Sequence, residues 1–149
     1  MPWRLRPIAV PLALLACSPK PAERTVSVDS LVAPGESLYV RGSYDSATAV
    51  WTEALQGPGI AGSAGEARLL HWLGLAAYRR GEYADARRLG ERSLGLKRDL
   101  RLPSPEIAES QNALGLLAWN EGRLQDAEAL LGQALAGFEG GGDRAGVAK

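Results

Sequence analysis

The chain has 149 residues, enough for about one domain, and carries 17 basic and 17 acidic residues, a formal net charge of zero. That balance gives no electrostatic case for nucleic acid or for a strongly acidic substrate. A single cysteine excludes an intramolecular disulfide, and with a single histidine it leaves no set of ligands for a zinc-type site, so no metal or cofactor is expected.

Taken in order, residues 1–16 form a targeting segment rather than part of the fold. Arg4 and Arg6 supply a positive start, and Ile8 to Ala16 is an apolar run too short to span a bilayer. The run ends in Leu14-Leu15-Ala16-Cys17. That tetrapeptide resembles the bacterial lipobox, whose cysteine is lipidated and becomes the mature N-terminus. The alternative is a plain signal peptide with an incidental cysteine. The resemblance implies lipidation at Cys17, anchorage in a bacterial cell envelope and, with Ser18 following, an outer-membrane position facing the periplasm. Residues 17–33 carry two prolines and no helical period, so they read as the lipidated cysteine and a flexible tether.

From residue 34 the chain repeats itself. Leu73-Gly74 to Leu94 recurs as Leu114-Gly115 to Leu135, and a weaker half-copy runs from Gly42 to Leu55. Gly81 and Gly122 are 41 residues apart, Gly42 and Gly81 39 apart. Each copy keeps a glycine, a large apolar residue two positions later and an alanine three beyond that: Gly42/Tyr44/Ala47, Gly81/Tyr83/Ala86 and Gly122/Leu124/Ala127. A glycine at that point stops one helix, and the apolar residue starts a second that folds back on it. Ala127, Leu130, Leu131, Ala134, Leu135 and Phe138 follow the spacing of one buried helical face, as do Ala47, Val50, Trp51, Ala54 and Leu55. In the middle copy Gly90 stands where the others have Trp51 and Leu131, leaving a gap that a bulky neighbour from the next hairpin can fill.

These features predict an all-α fold of paired helices at about 35–41 and 43–56, 64–80 and 83–98, and 105–121 and 123–138. Pro34-Gly35 shortens the first. Ser104 is expected to cap the fifth, with Pro105 at its first position. The repeat region spans 34–139, and residues 140–149 read as the opening of a further repeat.

The Leu-Gly pair, the turn glycine and the spaced alanines resemble the tetratricopeptide repeat, in the longer-helix variant of kinesin light chains. Ser93 departs from a usual alanine, and the spacing exceeds the usual length. The resemblance implies a right-handed superhelical array of αα-hairpins, and a peptide or protein partner bound in the concave groove formed by the first helix of each hairpin. Helical spacing places Arg68, His71, Leu75, Tyr78 and Arg79 on one side of the second such helix, and Glu109, Asn112, Leu116, Trp119 and Asn120 in matching places on the third. Amides and charges suit a peptide backbone, and aromatics suit hot spots.

No base with an orienting partner is visible around His71, and no phosphate-cradling loop follows a strand. The expectation is a non-catalytic, membrane-tethered interaction scaffold. The alternative is the front part of a larger protein whose repeats precede an enzymatic, caspase-like peptidase domain or a signalling domain. Self-association through the C-terminal repeat is a further expectation, from the rich apolar stripe of the last helix.

Overall fold

The computed structural model describes residues 27–141. The targeting segment, Cys17, most of the expected tether and, of the further repeat expected at 140–149, residues 142–149 lie outside the described residues; Gly140 and Gly141 instead end the last helix. Within them the chain forms six helices: α1 (Val28–Val40), α2 (Tyr44–Leu55), α3 (Ala64–Arg79), α4 (Tyr83–Asp99), α5 (Ser104–Asn120) and α6 (Leu124–Gly140). Each packs on the next, with the tightest pairs α1–α2, α3–α4 and α5–α6; α1 also meets α3, and α3 meets α5. The result is three αα-hairpins with α1, α3 and α5 in one row. None of the described helices is long and apolar enough to cross a membrane.

One turn is used three times. Gly42, Gly81 and Gly122 have φ of 79°, 79° and 75°. After each, the next N–H (Ser43, Glu82, Arg123) reaches back to the carbonyl of Leu38, Ala77 or Ala118 at 2.9 Å. The glycine N–H bonds Tyr39, Tyr78 or Trp119 at 2.9–3.0 Å. This is the Schellman arrangement, in which a left-handed residue just past the helix closes its last carbonyls. The same pattern ends α4 without a glycine: Arg101 has φ of 53°, with Arg101 N–H on Arg98 O at 3.0 Å and Leu102 N–H on Lys97 O at 2.9 Å. A side chain costs about 1 kcal/mol in that conformation. Arg101→Gly is therefore expected to raise the denaturation midpoint by an amount equivalent to ~1 kcal/mol, read by urea unfolding.

Helix α1 differs from expectation. It begins at Val28 rather than near residue 35, so the tether does not extend to 33 and Pro34-Gly35 does not truncate the first hairpin, whose helices of 13 and 12 residues are still shorter than those of the other two. Ser27 caps it, its side chain accepting from Ser30 N–H at 3.2 Å. Pro34 lies inside the helix on an exposed face, so the carbonyl it leaves unbonded, that of exposed Ser30, can be met by water. Gly35 then falls 39 residues before Gly74 and is its counterpart. A Cβ at Gly35 would collide with the indole of Trp51, which is fully buried and donates from Nε1 to Val32 O at 2.9 Å. The close approach of helix backbones that Gly74 and Gly115 give the second and third hairpins is thus present in the first.

A second, smaller departure is at α5, whose helix starts at Ser104 with Pro103 preceding it and no side-chain cap. At α3 the cap is Ser63, whose Oγ accepts from Glu66 N–H at 3.2 Å while the Glu66 carboxylate accepts from Gly62 N–H at 2.6 Å and meets Arg92 of α4. Gly90 takes the neighbour its gap suggested: a Cβ there would lie 2.9 Å from Leu114 Cδ2.

The core is built of Val32, Ala47, Trp51, Leu69, Leu73 and Ala76 in the first part, Ala77, Ala86 and Leu117 in the middle, and Ala108, Ala134 and Phe138 at the end. Trp51 and Trp72 stack at 5.5 Å, in line with core roles for both. Trp119 does not join them; it is 61% exposed. The arginines around the second turn divide. Arg88 is exposed beside Asp85, but Arg80 donates to Thr48 at 2.8 Å and Arg87 faces Glu121 at 3.5 Å, tying neighbouring hairpins together.

Candidate binding groove

The row of α1, α3 and α5 carries corresponding positions one repeat apart: Asp29/Arg68/Glu109, Val32/His71/Asn112, Glu36/Leu75/Leu116, Tyr39/Tyr78/Trp119 and Val40/Arg79/Asn120. Two cavities open along it. One, of about 280 Å³, is lined by Asp29, Glu36, Arg68, His71, Lys97 and Glu109, with Val32, Ala33 and Trp72 as apolar wall. The other, of about 50 Å³, is apolar and lies between α3, α4 and α5, with Leu75, Tyr78, Leu116 and Leu117 around a floor of Gly74, Ala86, Gly90 and Ala113. His71 lines both. A third cleft, about 420 Å³, lies between α5 and α6 beside Asn112, Leu116, Leu135 and Phe138.

All ten residues expected along the groove lie on α3 or α5, but several are already engaged. Arg68 donates to both carboxylate oxygens of Glu106 at 2.8 Å and to Asp29 at 3.2 Å, joining the N-terminal ends of α1, α3 and α5. The Glu106 carboxyl is held below its usual range by that guanidinium hydrogen bond. At the other rim runs a ladder. Arg79 Nε donates to Tyr39 OH at 3.1 Å, and Asn120 Nδ2 donates to Tyr78 OH and to Leu116 O, the latter at 3.0 Å. Each polar residue thus bonds the tyrosine of the preceding repeat, and Trp119 ends the aromatic row. Leu75, Leu116, Asn112 and the exposed Trp119, with His71 and the face of the Tyr78 ring, are the side chains left to face an incoming ligand.

Lys97 is the group that sequence inspection missed. It sits at a core position of α4 with its side chain only 1% exposed, donates from Nζ to Glu106 O at 2.8 Å and lies 3.7 Å from Glu109 Oε2. Burial lowers its pKa, and burial raises that of Glu109, while the two charges support each other. Its counterparts in the neighbouring repeats are Pro58 and Phe138, so nothing in the periodicity marks it. The α1 residues Asp29 and Val32 were missed for a simpler reason, the unread first two turns of that helix, and Glu36 and Tyr39 because the groove was assigned to the second and third hairpins alone. Among the described residues no three His, Cys, Asp or Glu side chains come together as a metal site.

His71 is half-buried against Trp72, with ring centroids 6.1 Å apart. Burial, and then the charge of Lys97, lower its pKa to about 3, so the ring is neutral. Behind it Ser110 Oγ stands 3.4 Å from Nδ1 and 3.4 Å from Ser93 Oγ, and Ser93 donates to Ala67 O at 2.7 Å. The departure from alanine at Ser93 is thereby explained: its hydroxyl joins α4 to α3 and α5.

A tetratricopeptide repeat family model matches residues 65–140. No curated protein matches the chain. Among solved structures the chain is similar to the Rap conjugation gene regulator of the plasmid pLS20, determined in complex with the Phr* peptide. The identity is 18% and the TM-score 0.68, over 80% of this chain and 34% of that one. The present chain therefore spans about a third of that protein, and the likeness is one of fold. The helix pairing, the repeated turn and a family match over more than half of its residues agree, and the protein belongs to the tetratricopeptide repeat family.

Proposed function

We propose that this protein is a non-catalytic scaffold that binds an extended peptide or protein segment along the row of α1, α3 and α5. The observation that carries the proposal is the pair of cavities meeting at His71. One is polar and one apolar, and both open on the row that the repeats hold in register. Small pockets with a few placed polar groups suit side chains spaced along a strand. That the Rap regulator was solved with a peptide supports this choice of ligand class. Leu116→Arg is the test. Leu116 is 40% exposed and lines the apolar cavity, so a charge there is expected to weaken peptides selected from a random library by about tenfold or more. The melting temperature should stay within about a degree or two of wild type, because exposed positions contribute little to stability. Unchanged binding would place the ligand elsewhere.

We further propose that Cys17 is lipidated and tethers the scaffold to the cell envelope. The support is the sequence: basic start, short apolar run and lipobox-like end. Cys17→Ser is expected to abolish incorporation of labelled fatty acid, and labelling that persists would dismiss the anchor.

A further inference from the structure

The last hairpin carries, uncovered, the seat that the second hairpin fills with α5. On α3 and α4 that seat includes His71, Gly90, Ser93 and Lys97. A Cβ at Gly90 would lie 2.9 Å from Leu114 Cδ2. His71 Nδ1 and Ser93 Oγ each stand 3.4 Å from Ser110 Oγ, and Lys97 Nζ donates to Glu106 O at 2.8 Å. The residues 41 positions on are Asn112, Leu131, Ala134 and Phe138, and they line the cleft of about 420 Å³ between α5 and α6. Among the described helices α6 packs closely on α5 alone. The difference shows at one equivalent leucine: Leu94 is 7% exposed in the filled seat, and Leu135 is 42% exposed in the open one. Leu116, Trp119 and Leu124 are also exposed, so apolar surface gathers on the last hairpin.

The filled seat is partly polar and the open one is not. Glu91, Ser93 and Lys97 give way to Gly132, Ala134 and Phe138, and no ionisable side chain lines the cleft. We propose that this face pairs with the same face of a second copy, forming a closed two-fold dimer. A two-fold interface sets a surface against itself, so charges near the axis would meet their own kind, whereas an uncharged apolar face is self-complementary. Copies could otherwise cover the face by stacking head to tail, with α1 of one in the seat of the next. The α1 residues equivalent to Leu114 and Leu117 are Pro34 and Ser37, both exposed, so α1 brings no aliphatic side chain to fill the seat. The polar α1 end thus works as a cap, and assembly stops at two. The α6 side chains of the cleft line neither cavity of the groove, so the dimer does not depend on the peptide reading above.

Sedimentation of the full chain over a broad range of concentration tests the pairing, in a mild non-ionic detergent that keeps the apolar run at 8–16 dispersed. Wild type is expected to pass from monomer to dimer and no further. A Cβ at Gly132 meets nothing within 4 Å, and glycine is a poor helix former, so Gly132→Glu adds a charge to the face without disturbing the fold. It should raise the dimer dissociation constant about tenfold or more while leaving the circular dichroism spectrum unchanged. Leu135→Arg should do the same. Gly95→Glu makes the same change at an equally open position on α4 and should leave the dimer intact. A dimer that survives both α6 substitutions overturns the proposal. So does a chain that stays monomeric, whether residues 142–149 or a different protein covers the face. Oligomers that lengthen with concentration overturn it in favour of head-to-tail stacking.

Discussion

Trp51→Ala is expected to destabilise the protein by about 3–5 kcal/mol, the range for removing a large buried aromatic side chain. Trp51 is fully buried, stacks on Trp72 at 5.5 Å and lies 6.3 Å from Tyr39, so its removal opens a cavity where the first hairpin meets the second. The loss also removes the indole N–H bond to the Val32 carbonyl at 2.9 Å. Trp51→Phe should keep most of the packing and lose mainly that bond, about 1 kcal/mol. Equilibrium unfolding in urea separates the two. If Trp51→Ala unfolds at the wild-type midpoint, α1 and α2 are not integral to the array.

The second large effect is on acid stability. The His71 pKa is lowered in the folded state from 6.5 to about 3, by burial first and by Lys97 second. Between those values the unfolded chain takes up a proton that the folded chain does not, so stability is full above the unfolded value and falls as the pH drops towards the folded one. Each pH unit of that interval is worth about 1.4 kcal/mol, so lowering the pH from 6.5 to roughly 4.5 should remove about 2 kcal/mol. Neighbours face the same ring and titrate too. Glu109 has a raised pKa, while Glu106, held low by Arg68, adds its own loss only below its usual range. His71→Gln removes the imidazole and keeps a neutral amide, and should flatten the slope between pH 6.5 and about 5. A slope unchanged by that substitution would assign acid sensitivity to the carboxylates.

Much of the fold is legible in the residues. The three turn glycines, the apolar position after each and the paired small residues fix where helices stop and which faces meet. Five of the six helices accordingly lie within two residues of their expected bounds. The first does not, because Pro34 reads as a boundary when taken alone. Gly35, 39 residues before Gly74, is the signal that outweighs it: the repeat demands a helix through Pro34, and the exposed, solvated side of α1 tolerates one.

The groove is less legible. Helical spacing brings Arg68, His71, Leu75 and Tyr78 to one side of α3, but it cannot say which are already engaged. Arg68 is consumed by Glu106 from 38 residues away, and Arg79 and Asn120 by tyrosines of the preceding repeat. Lys97 escapes notice because a lysine at an apolar repeat position satisfies its head group on a main-chain carbonyl of the next hairpin, and no pattern of side chains encodes that. Ser93 is visible as an anomaly, yet its partners on α3 and α5 emerge only once the helices are packed.

The central claim is that a peptide lies along the row of α1, α3 and α5 with His71 at the junction of its two cavities. Hydrogen–deuterium exchange of the full chain, with and without a library-selected octapeptide, tests this most directly. The expected result is slowed exchange concentrated in α3 and α5 near His71 and Leu116, with α2 and α6 unchanged. Protection confined to α2, α4 or α6, or spread evenly over all six helices, would contradict it.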